Sequence, residues 1–149
     1  MIDNTNTTRD DVKMLNQIRK TTEMGQYGID GVLEYTDDEA LIAELESQYK
    51  EYDKICNQAD HMLKERGTEG KHVGGMAKMA SDMATTMNMM KDPSESKIAE
   101  MMIKGNNMGV VKNTKELHEY ENLNNGVRGL AENLIATEES NVETMKKFL

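Results

Sequence analysis

Apolar residues recur along this chain at spacings of three and four, the period of a helix that buries one face. Four long segments carry the pattern, and in each the seam turns polar or small near its middle. The first reads Leu15, Ile18, Thr22, Gly25, Ile29, Val32. The second reads Leu41, Leu45, Gln48, Tyr52, Ile55, Ala59, Met62, and the last Val127, Leu130, Leu134, Thr137, Asn141, Thr144, Phe148. The third has Lys104 and Asn106 between Ile103 and Val110. Helices of this kind predict a bundle that is greasy at both ends and polar at mid-height, where bundles hold buried metal sites.

Local signals set the boundaries. Residues 1–8 read as a polar tail, and 9–149 as a single domain. The first helix spans about 9–34, with Thr7 or Thr8 as cap and Asp10 and Asp11 in its first turn. Thr36-Asp37-Asp38-Glu39 reads as a capping box that opens a second helix. That helix stops at Gly67, and the short link makes the first two helices an antiparallel hairpin. Glycines across 67–75 mark a hinge loop before a short helix over 76–91. Asp92-Pro93-Ser94-Glu95 restarts the chain as the third long helix, with Asp92 as N-cap and Pro93 at the first helical position. Residues 122–126 form the last turn. The fold class is therefore all-α: an antiparallel up-down-up-down four-helix bundle, its third helix broken and preceded by an extra short Met-rich helix.

Composition narrows the function. With one Phe, five Tyr and no Trp, fourteen Met and the aliphatics must fill the core. A net charge of −9 without a basic patch argues against nucleic-acid or anionic-membrane partners. The lone Cys56 excludes an intramolecular disulfide; beside Asp53 and Asp60 it reads as a small apolar group rather than a reactive thiol. No run approaches the roughly 18 apolar residues of a membrane span, and the N-terminus lacks the apolar stretch of a secretory signal. A cytoplasmic location is expected.

Two places could carry chemistry. Carboxylate-bridged di-metal bundles use a Glu on each of two helices and Glu-x-x-His on the other two, because residues three apart share a face. Here Glu138-Glu139-Ser140-Asn141 ends in Asn, and Glu51-Tyr52-Asp53-Lys54 ends in Lys. Glu23 stands on the first helix, opposite Lys104 on the third. The second place is a stripe of Met76, Met79, Met83, Met87 and Met90, with Met89 beside it and His72 upstream. Such a stripe suits packing on the bundle, a partner groove, or Cu(I); packing is the simplest reading.

The order of these helices, with a last helix carrying Leu-Ala-Glu-Asn-Leu-Ile-Ala-Thr-Glu-Glu-Ser-Asn-Val over 130–142, resembles the ferritin-like superfamily. It is most similar to that superfamily's small bacterial four-helix-bundle families of unknown function, along nearly the whole chain. The resemblance implies the bundle fold and a stress- or spore-associated setting. Carried over by position, Glu23 and Glu138 match ligand-type residues, whereas Lys54, Lys104 and Asn141 do not. The expectation is a vestigial site, with no cofactor or resident metal, in a non-catalytic structural or interaction protein. Its partner would be another protein or itself, through Met76, Met79, Met83, Met87 and Met90. In that reading Glu23 pairs with Lys104, Tyr52 pairs with Asn141, and Thr22, Gly25 and Gly28 admit a large side chain such as Tyr52. The alternative is a metal-binding or redox bundle that uses Glu23, Glu51 and Glu138 with an unusual ligand set.

Overall fold

The computed structural model describes residues 4–70 and 73–149, with side chains from Thr8 onward. Among the described residues the chain is all-helical. The elements are α1 (Asn4–Leu33), α2 (Glu39–Glu65), α3 (Gly75–Lys91), α4 (Glu95–Glu119) and α5 (Asn125–Met145), closed by a short 3-10 turn at Lys146–Phe148. No helix among them is long and apolar enough to cross a membrane.

Several boundaries differ from the sequence reading, each for a local reason. α1 begins at Asn4, inside the segment 1–8 expected to be a polar tail; residues 1–3 lie outside the described residues. Asn and Thr are weak rather than forbidden helix formers, and extending an existing helix is cheap compared with nucleating one. The cap of α2 is Asp38, which accepts from the Leu41 amide at 2.8 Å. Thr36 instead accepts from the Asp38 amide and donates to Glu95 at the start of α4. α2 closes on Gly67 with φ +71°, where the Thr68 amide reaches the Leu63 carbonyl and the Gly67 amide reaches Lys64. That left-handed position is natural for glycine. α4 is capped by Ser94, whose hydroxyl accepts from the Lys97 amide at 3.1 Å. Asp92, expected to cap it, closes α3 through its own amide.

Buried apolar residues form one contiguous cluster with contributions from all five helices. α1 packs most closely on α2, and α4 on α5. Asp11 meets Arg66, Arg19 meets Asp60, and the Gly25 backbone faces the Tyr52 ring. Thr21 on α1 reaches Asn113 on α4. α3 leans on α1 and α4, and its orientation is the reverse of the expected one. Lys78, Ser81, Thr85, Asn88 and Met89 are its buried or half-buried positions, while the methionine stripe points outward. The polar side of α3 has partners on the bundle: Lys78 pairs with Glu23 at 3.5 Å, and the Tyr27 hydroxyl donates to Asp82.

The candidate mid-height site

The polar layer at the centre is built on two glycines. A Cβ at Gly25 would lie 2.6 Å from Tyr52 Cε2, so the missing side chain makes room for the phenol ring. A Cβ at Gly109 would lie 2.3 Å from Glu138 Oε2, so α4 is hollowed in the same way for the carboxyl group. Gly28, expected to share this role, has open space at its Cβ position. Tyr52 and Glu138 thereby reach the centre, each only 2 % exposed.

Hydrogen bonds connect the layer. The Tyr52 hydroxyl lies 2.7 Å from Asn106 Oδ1 and 3.3 Å from Glu138 Oε2. Asn141 Nδ2 also donates to Asn106 Oδ1, at 3.2 Å, and Asn106 Nδ2 donates to the Met102 carbonyl. Tyr52 and Asn141 are thus joined through Asn106. Among the described residues Glu138 Oε1 has no hydrogen-bond partner. Burial raises the Glu138 acid to about 8 despite the opposing hydrogen bond from Tyr52. Burial, with Glu138 beside it, also pushes the Tyr52 phenol far above its ordinary value. Near neutral pH the centre therefore holds a neutral carboxylic acid, a neutral phenol and two carboxamides.

The other expected members lie elsewhere. Glu23 does not meet Lys104: it takes Arg19 at 3.1 Å, Lys78, and the Val73 amide, and so ties α3 and the preceding loop to α1. Lys104 is exposed and pairs with Glu100 one turn back. Glu51 and Lys54 are exposed on α2, where each lines a different depression between α2 and α5. The physical reason is register. On a helix one residue is a rotation of about 100° and two are about 200°, so Glu138 rather than its neighbour Thr137 faces the core, and Asn106 rather than Lys104 two residues before it.

These donors do not fit a carboxylate-bridged di-metal centre. Among the described residues Glu138 is the single acidic side chain of the layer, and no group of three His, Cys, Asp or Glu is placed to hold a metal ion. The mismatch comes from the shortage of carboxylates, since the two lysines stand outside the layer. Cys56 is buried, and burial raises its thiol, as its small apolar reading implies. His61 and His118 are exposed, and His72 lies outside the described residues.

Asp11, Asn16 and Asn113 are buried polar residues that the seams did not mark. Asp11 accepts two bonds from Arg66, at 2.8 and 3.1 Å, and one from the Asn124 amide at 2.9 Å. Asn113 donates to Thr21 Oγ1 and to the Gly109 carbonyl. Asn16 is also buried on α1. The Asn106-to-Asn113 spacing of seven was the available signal for Asn113. Asp11 had none, because its partner follows 55 residues later. No protein-family profile matches the chain, and no curated protein or solved structure shows significant similarity to it.

Proposed function

We propose that this protein is a ferritin-like antiparallel, up-down-up-down four-helix bundle with a degenerate mid-height site, working as a non-catalytic structural or interaction protein. Its contact surface is the methionine face of α3. The pairings Asp11 with Arg66, Arg19 with Asp60, and Gly25 with Tyr52 support the antiparallel arrangement of α1 and α2. The neutral hydrogen-bonded layer supports a role in fixing helix register, the best-attested use of buried polar groups.

The observation that carries the reading is the orientation of α3. Met76, Met79, Met83, Met87 and Met90 are 88, 65, 61, 56 and 80 % exposed, while polar side chains face the bundle. An amphipathic helix with its apolar side in water gains by covering that side, and flexible thioethers adapt to many partner shapes. Self-association is the directly testable form. Light scattering across a concentration series should show assembly, and Met83→Glu with Met87→Glu should return the chain to monomer with its helical content unchanged and a melting temperature that no longer depends on concentration. A wild-type monomer at every concentration overturns self-association. Stoichiometric iron, manganese or copper in untagged protein overturns the non-catalytic reading.

A further inference from the structure

The five outward methionines of α3 are spaced symmetrically. From Met83 the stripe steps four residues and then three in each direction, to Met79 and Met76 one way and to Met87 and Met90 the other. At about 100° per residue all five lie within about 40° of the Met83 direction, so they form one straight ridge. The ridge reads the same from either end of the helix. A second copy related by a two-fold axis matches it, because an isologous contact needs each residue's partner to face it in return.

What surrounds the ridge favours the same occupant. The other exposed side chains between Met76 and Met90 are Ala77, Ala80, Asp82, Ala84 and Thr86. Asp82 already accepts from the Tyr27 hydroxyl of its own bundle. The rest are small and uncharged, which lets two helix axes approach to about 8–10 Å. Two copies of a chain of net charge −9 meet on such a face with little repulsion. At 56 to 88 % exposure the five methionines present on the order of 600 Å2, so a pair of copies covers roughly 1,200 Å2, the lower bound of specific interfaces.

The helix ends set the direction. Side by side in the same sense, two α3 helices would bring like dipole ends together. They would also set Lys91, exposed just past Met90, beside the partner's Lys91. The antiparallel sense separates both pairs.

We propose that α3 pairs antiparallel with α3 of a second copy about a two-fold axis at Met83, which sets Met76 against the partner's Met90 and Met79 against the partner's Met87. The pairing rests on the reading of the methionine face as the contact surface, and adds to it one register and a closed dimer as the end state.

Cross-linking of cysteine variants of the full chain with a short bismaleimide, at concentrations where light scattering shows the assembled form, tests the register. Wild type is the blank, because its single thiol, Cys56, is buried. Met83→Cys should cross-link to itself in high yield. Met76→Cys alone should give about tenfold less, since its two thiols stand about 21 Å apart along the paired helices. An equimolar mixture of Met76→Cys and Met90→Cys should recover the cross-link. All three positions are exposed, so the substitutions leave the core untouched. Assembly with equal cross-linking of Met76→Cys and Met83→Cys, or with none at Met83, overturns the antiparallel pairing alone. So does assembly that grows past the dimer. A monomer at every concentration overturns the pairing and the self-association reading together.

Discussion

At residue scale the central acid sets the pH behaviour. Glu138 ionises near its ordinary value in the unfolded chain, but is raised to about 8 in the fold because burial disfavours the carboxylate. Between those values the folded state holds a proton that the unfolded state has lost. Stability therefore falls as pH rises through this window, is unaffected below it, and levels off above about 8. Urea denaturation should show a loss of a few kcal/mol from pH 5 to pH 9. Glu138→Gln keeps the shape without the titration and should flatten that slope. An unchanged slope would place the buried proton on another group.

The glycines give a second residue-scale test, because four of them share a helical context and differ in space. Gly25→Ala drives a methyl group into the Tyr52 ring, and Gly109→Ala into the Glu138 carboxyl group. Overpacking of this kind costs about 1–3 kcal/mol, more than the roughly 1 kcal/mol of helix propensity that alanine supplies. Gly28 and Gly105 have open space at their Cβ positions. Alanine there should stabilise by about 0.5–1 kcal/mol. Thermal melts of the four variants should separate by sign. A uniform gain would mean that the glycines make no room for Tyr52 or Glu138.

At the scale of the element, α3 is the helix whose pattern misleads. Its methionines repeat as a core stripe does, and a monomer would be expected to turn that stripe inward. What opposes this is the polar anchoring of the other face. Glu23 holds both Lys78 and the Val73 amide, Tyr27 holds Asp82, and Met89 alone enters the core. Dilute peroxide should therefore convert Met79, Met83 and Met87 to sulfoxides well before Met14 and Met89, as read by peptide mass spectrometry. Equal protection of the two groups would place the stripe in contact. If the protein self-associates, protection of the stripe should rise with concentration.

At whole-molecule scale, Asp11 joins three parts of the chain. It sits within α1, binds Arg66 just past α2, and accepts from the Asn124 amide at the cap of α5. Its side chain is almost fully buried, so removing either partner strands the other charge. Asp11→Ala should cost about 3 kcal/mol, and a cycle with Arg66→Ala should show strongly non-additive losses. Additive losses would reduce the contact to coincident packing.

The chain by itself determined that it is helical, where its turns fall, and that its seams lose their grease at mid-height, because helix period, caps and glycine stops are local properties. It also pointed to Glu138, Tyr52 and Asn141 as residues of that height. Only the tertiary structure decided which polar residues meet. A one-residue rotation separates Glu138 in the core from Thr137 at its edge, and a two-residue rotation separates Asn106 inside from Lys104 in water. That rotation is fixed by neighbours distant in sequence: Gly25 opens for Tyr52, Gly109 opens for Glu138, and Asn106 bridges Tyr52 and Asn141. The outward turn of α3 has the same origin, since helix period gives an apolar face but not the side from which the rest of the molecule holds it.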